Sequence, residues 1–221
     1  MSREPTNHQE DAVTAVTIIG AGNMGTAIAS VVAKGGNTVQ VLTRDPQKAS
    51  EAIPAATHGT LGEPITSDIV ILALPYPAVA EVLSRYAGEL DGKVIVDITN
   101  PVDFATFDSL VVPVGSSAAA VIAESLPGSS VLKAFNTTFA ATLASGTVGA
   151  ESTTVLIAGD DAEAKAALAA IMEGGGLRAV DAGSLKRAHE LEALGFLQLT
   201  LGSWQQDLLD ERLRVGEIGP H

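Results

Sequence analysis

Two rhythms of apolar positions alternate along this chain. Short runs rich in Val and Ile recur at residues 13–19, 38–42, 69–74, 93–98, 130–134, 153–158 and 178–180. Between them lie stretches whose apolar residues return every three to four positions. Met24, Ile28, Val31 and Val32 form one stripe, and Val79, Val82 and Leu83 form another. The spacing predicts helices over 23–34, 77–86, 116–125 and 162–173, and a long C-terminal helix from about Leu185. Strands alternating with helices predict an α/β fold with a doubly wound, mainly parallel sheet. The run 69–74 is apolar throughout and stops at Pro75-Tyr76-Pro77, as a strand buried on both faces would. Residues 52–64 are punctuated by Gly and Pro and read as a loop, and 103–114 read as a surface excursion. No linker divides residues 13–221, which read as one domain with a C-terminal helical extension; residues 1–12 read as a disordered polar tail.

The sharpest local signal follows the first strand: Gly20-Ala21-Gly22-Asn23-Met24-Gly25. Strand, glycine turn and helix start stand in the order that a Rossmann-type dinucleotide site needs. The first glycine permits the tight turn, the second lets backbone approach a pyrophosphate, and the third lets helix pack on strand. The helix N-terminus then aims unpaired N–H groups at the phosphates. At the end of the second strand an NAD site usually carries an acid for the ribose 2′-hydroxyl. Here stand Thr43 and Arg44, with Lys48 one helical turn on. A hydroxyl, a guanidinium and an ammonium suit a 2′-phosphate dianion, so NADP is favoured over NAD. Asp45-Pro46 reads as an N-cap with Pro at the first helical position. Because ligands bind beyond the carboxyl ends of parallel strands, Leu74-Pro75, Asn100-Pro101 and Asn136-Thr137 should gather on the same rim. Each pair alone is an ordinary turn.

Composition narrows the reading. Of 221 residues 46% are hydrophobic, enough for a large core, and the net charge of −13 argues against nucleic-acid or anionic-membrane partners. Cysteine is absent, which removes disulfides and thiolate chemistry and is compatible with a reducing cytoplasm. The four histidines show no metal-type spacing, and no Ser–His–acid set is evident. Leu191, Leu194, Leu197, Leu199, Leu201, Trp204 and Leu208 put apolar bulk around too much of the last helix for one buried stripe, which predicts a homodimer.

Taken in order, Gly20–Gly25, Leu74-Pro-Tyr-Pro77, Val96-Asp-Ile-Thr-Asn-Pro101, Lys133-Ala-Phe-Asn-Thr137, Asp181-Ala-Gly183 and Glu190-Leu-Glu-Ala-Leu194 resemble the NADPH:deazaflavin (coenzyme F420) oxidoreductase family and its bacterial relatives. The reductase domain of the six-transmembrane metalloreductases is similar. The resemblance implies hydride passing between NADP and a flavin-like ring stacked on its nicotinamide, the acceptor being FAD, FMN or a deazaflavin. It places Ala21, Gly22, Asn23 and Met24 at the pyrophosphate, and Thr43, Arg44 and Lys48 at the 2′-phosphate. Leu74 and Pro75 would line the channel, Asn100 and Pro101 the nicotinamide end, and Ala134, Asn136 and Thr137 the carboxamide or acceptor ring. Hydride transfer between stacked rings needs alignment rather than an acid–base side chain, so no catalytic residue is named. Two alternatives remain: a non-catalytic NADP(H)-binding sensor or partner subunit, and a reductase of a small imine or ketone using Tyr76 or Lys133 as proton donor.

Overall fold

The computed structural model describes residues 13–215, and the side chains of residues 13–202. The residues read as a polar tail lie outside it. Strand β1 (Ala15–Ile19) leads through the glycine turn into α1 (Asn23–Lys34), β2 (Thr38–Thr43), α2 (Pro46–Ala52) and β3 (Thr57–Thr60). Then follow β4 (Ile69–Leu72), α3 (Tyr76–Arg85), β5 (Val94–Asp97), α4 (Ala118–Ser125), β6 (Ser130–Lys133) and α5 (Ala140–Ser145). A small hairpin, β7 (Thr147–Val148) and β8 (Glu151–Ser152), precedes β9 (Thr154–Gly159), α6 (Ala162–Gly174) and β10 (Arg178–Gly183). A 3-10 turn at Leu185–Arg187 opens into α7 (Ala188–Val215).

The main sheet runs β10-β9-β6-β5-β4-β1-β2-β3 and is parallel except where β6 meets β9. This is the doubly wound, Rossmann-type sheet that the sequence predicts. Its winding reverses between β1 and β4, which opens a crevice beyond their carboxyl ends. All four residues of β4 are buried, because apolar clusters cover the sheet on both faces. One cluster joins Ile18, Ile28 and Val32 to Leu168 and Met172, beneath α1 and α6. The other joins Ile19, Leu72, Val79 and Val82 to Ile122, beneath α3 and α4.

Several expectations are corrected. Residues 52–64 are not all loop: β3 forms the sheet edge, pairing with β2 from Gln40↔Thr57 to Thr43↔Thr60. Only Gly59 of its four residues is buried, so backbone pairing holds this strand without an apolar rhythm. The strand at 178–180 runs on to Gly183, across a register shift after Asp181. The last helix begins at Ala188, since the 3-10 turn occupies the preceding three residues. The helix α5 and the β7–β8 hairpin fall in a stretch with no predicted element. The excursion at 103–114 is present, pinned by a bridge between Val102 and Leu110.

Candidate functional site

The glycine turn has the close contacts its sequence implies. Gly20 has φ +112°, and a Cβ there would collide with the Ala73 carbonyl at the end of β4. A Cβ on Gly25 would collide with the Gly20 carbonyl, so α1 lies directly on the turn. Over Gly22 the situation reverses: a Cβ would meet nothing within 4 Å. Gly22 caps α1 without a side-chain hydrogen bond, and the first turn of α1 holds no acid. Open space above uncapped N–H groups at a helix N-terminus suits a phosphate, by donor direction and by dipole. On this observation the residues present fit a dinucleotide.

Two hollows flank this N-terminus along one rim. The first, of about 330 Å³, is lined by Gly20, Ala21, Gly22, Leu42, Thr43, Arg44, Asp45, Leu61, Ala73, Leu74 and Pro75. Arg44 is exposed and forms no ion pair among the described residues. Asp45 is occupied otherwise: its Oδ1 accepts the Lys48 N–H at 3.1 Å and caps α2, as the sequence predicts. Lys48 itself is exposed on the first turn of α2 and outside the hollow's lining.

The second hollow, about 280 Å³, is lined by Asn23, Met24, Ile98, Asn100, Phe135, Asn136, Thr138, Phe139, Ala140, Gly195, Gln198 and Leu199. None of these side chains is ionisable. Its floor is a pair of interlocked amides. Asn100 Nδ2 donates to the Asn136 carbonyl at 2.8 Å. Asn136 Nδ2 donates to Asn100 Oδ1 at 3.0 Å and to the Leu191 carbonyl of α7 at 2.7 Å. Both amide protons of Asn136 are thus taken within the protein, and its Oδ1 is enclosed without a partner among the described residues. Asn136 shapes the hollow by holding Asn100 and α7. Phe135, just before it, sits at φ +64°, a left-handed conformation that is uncommon for a bulky residue and gathers at functional sites.

The structure thus brings Gly20, Ala21, Gly22, Thr43, Arg44, Leu74 and Pro75 together in one hollow, and Asn23, Met24, Asn100 and Asn136 in the other. Gly25, Pro101 and Ala134 are buried beneath the rim, and Thr137 is half-buried beside it. Ala140 also lines the hollow, whereas Ala141 is exposed. The wall contributed by α7 was not predicted: Gly195, Gln198 and Leu199 read in sequence only as part of an apolar helix.

Beneath this hollow lies a charge cluster that was not foreseen as a unit. The Lys133 ammonium, fully buried, meets Asp97 Oδ2 and Glu192 Oε1, each at 2.8 Å. Burial pushes the Glu192 carboxyl up, while Lys133 and the Ala118 N–H pull it back. Burial, then the Glu192 and Asp97 carboxylates, raises the Tyr76 hydroxyl above its ordinary value. Neither Lys133 nor Tyr76 lines either hollow.

Comparison with known proteins agrees with this geometry. Residues 15–101 match the family described as NADP oxidoreductase, coenzyme F420-dependent. Metalloreductase STEAP3 of Rattus norvegicus is 31% identical over 191 residues, 86% of this chain; the chain spans only 38% of that protein's length. The F420-dependent NADP reductase of Methanocaldococcus jannaschii is 29% identical over 193 residues, 79% of this chain and 86% of its own. A crystal structure from Arthrobacter sp. FB24, provisionally assigned as an F420-dependent NADP-reductase, superposes with a TM-score of 0.75 at 25% identity, covering 86% of this chain and 93% of its own. By fold, rim and relatives the chain is similar to NAD(P)-dependent oxidoreductases built on a Rossmann-type sheet. The resemblance read from the sequence motifs is to this same group. Among the described residues no helix is long and apolar enough to cross a membrane, and no cluster of metal-binding side chains occurs.

Proposed function

We propose that the protein transfers hydride between NADPH and a flavin or deazaflavin acceptor. The observation that carries the reading is the second hollow: it adjoins the α1 N-terminus, holds no ionisable side chain among the described residues, and at about 280 Å³ stands near the lower end of ligand sites. Neutral walls of amide, aromatic and aliphatic groups suit two stacked rings. NADPH would supply the hydride, and the protein would supply alignment and exclusion of water. The N–H groups at Ala21–Met24 would hold the pyrophosphate, while Thr43 and Arg44, with Lys48 beyond, would hold the 2′-phosphate. Ile98, Asn100 and Phe135 would flank the nicotinamide, and Gln198 and Leu199 of α7 the acceptor.

One observation weighs against imine or ketone reduction. That chemistry needs a proton donor beside the ring, yet Lys133 is enclosed in ion pairs and Tyr76 lies outside the hollow's lining. The test is anaerobic mixing of NADPH-loaded protein with FMN, FAD, riboflavin and the deazaflavin, following absorbance of the reduced nicotinamide. Oxidation by at least one of the four is the expected result. Tight NADPH binding with no oxidation by any of them would favour the non-catalytic sensor or partner subunit instead.

A further inference from the structure

Lys133 carries three ammonium protons, and the protein accepts each of them. Asp97 Oδ2 accepts at 2.8 Å, the Thr99 carbonyl at 2.5 Å, and Glu192 Oε1 lies 2.8 Å away. The two carboxylates reach further. Asp97 Oδ1 accepts the Thr99 N–H at 2.9 Å, and Glu192 Oε2 accepts the Ala118 N–H at the start of α4 at 2.8 Å. One ammonium therefore ties together the ends of β5 and β6, the α4 N-terminus and the second turn of α7. All three side chains are fully buried or nearly so.

A buried charge cluster is weak as a source of stability, because desolvation offsets most of its attraction. Its geometry is specific nonetheless. The turn that Lys133 holds through Thr99 delivers Asn100 to the second hollow. The helix it holds through Glu192 delivers Gly195, Gln198 and Leu199 to the opposite wall. Between the two walls the fit is already tight, since a Cβ on Gly195 would collide with Asn100 Oδ1. Drawing these two walls apart strains the bonds that the Thr99 carbonyl and Glu192 make to Lys133.

We propose that Lys133 is a positioning residue for hydride transfer: it sets the spacing between the Asn100 turn and α7, and with it the alignment of nicotinamide and acceptor, while touching neither. This rests on the reading of the second hollow as the nicotinamide end. Since Ala21–Met24, Thr43 and Arg44, which would hold the phosphates, make no bond to the Lys133 cluster, Lys133 acts on ring alignment and leaves dinucleotide affinity alone.

The test uses the full chain carrying Lys133→Met, with Glu192→Gln as the milder change that keeps the fold if the first does not. Two readouts are taken: fluorescence emission of bound NADPH, which needs no acceptor, and single-turnover transfer to whichever acceptor the parent uses. In the folded variant NADPH affinity should stay within about twofold, bound nicotinamide emission should change, and transfer should slow about tenfold or more, since a misplacement of ~1 Å can cost about a hundredfold. Adding Asn100→Ala to that variant should slow transfer by less than it does in the parent, because the turn that carries Asn100 is already released. Unaltered emission and transfer in a folded variant, or an Asn100 effect that simply adds, would overturn the proposal and leave Lys133 a fastener of the fold. The two levels fail separately. A parent whose bound NADPH emits like free NADPH removes the assignment of the hollow; a parent with altered emission that Lys133→Met retains removes only the role of Lys133.

Discussion

Arg44, without an ion pair among the described residues, offers its guanidinium at the mouth of the first hollow, while the neighbouring carboxylate that could have imitated an NAD-type ribose acid is committed to capping α2. Losing a charged hydrogen bond to a dianion costs about 1.5–3 kcal/mol, a factor of roughly ten or more in affinity. Arg44→Ala should therefore weaken NADPH by at least about tenfold and leave NADH nearly unchanged; equal affinities of the parent for the two nucleotides, by calorimetry, would contradict the NADP reading. A second prediction at this scale concerns pH. Asp161 caps α6, with Oδ1 accepting the Glu163 and Ala164 N–H groups and Oδ2 accepting the Ser130 hydroxyl at 2.6 Å. The Ser130 hydroxyl, then these backbone donors, lower its carboxyl below the ordinary 3.8. A depressed carboxyl contributes stability above its unfolded value and loses it as pH falls through the folded one. Asp161→Asn should thus lower the melting temperature at neutral pH, and the difference from the parent should shrink below about pH 4. A difference constant across that range would show that the cap, not the charge, is what matters.

Among the elements, α1 was legible to the residue, because its glycine turn and its single apolar stripe point to the same ends. Strand β3 was not, since its residues carry no rhythm and its place is set by the β2 backbone alongside. The same contrast divides the site. The rim residues announced themselves as Gly, Pro and Asn at strand ends, where turns leave a local signature. The α7 wall and the Lys133 cluster arise from residues far apart in the chain, and a lone Lys, Asp or Glu carries no pattern that reveals its partner. Gly195 shows what such packing demands. A Cβ there would meet Asn100 Oδ1 and the Asn136 amide and carbonyl, so α7 rests directly on the amide pair. Gly195→Ala has to push the helix or the pair aside, at an overpacking cost of about 1–3 kcal/mol. The expected outcome is a lowered melting point with slower hydride transfer and unchanged NADPH affinity. Wild-type transfer in that variant would mean that the amide pair only closes a turn.

At the scale of the whole molecule, α7 presents Leu194, Leu197 and Leu201 to solvent, with exposures of 41%, 51% and 46%. Leu191 is buried, so the apolar residues of this helix do divide between an inner and an outer face. Trp204 and Leu208, which entered the same expectation, lie outside the residues whose side chains are described. Half-burying three leucines on each of two partners would contribute roughly 1 kcal/mol apiece, against an association cost of about 4–15 kcal/mol. These three residues alone do not sustain a dimer, and the rest of the helix would have to extend the contact. Charge works against it as well: two copies at −13 repel, and the repulsion is screened over about 8–10 Å at ordinary ionic strength. The homodimer prediction therefore has a particular form. Light scattering at micromolar concentration should give twice the 22.5 kDa of the chain, the dimer should tighten as salt is added, and Leu197→Asp should return the single-chain mass. Since α7 also walls the second hollow through Gly195 and Leu199, that monomeric variant should lose turnover more than NADPH affinity. A parent that scatters as a 22.5 kDa particle would assign the outer leucines of α7 to some contact other than a second copy.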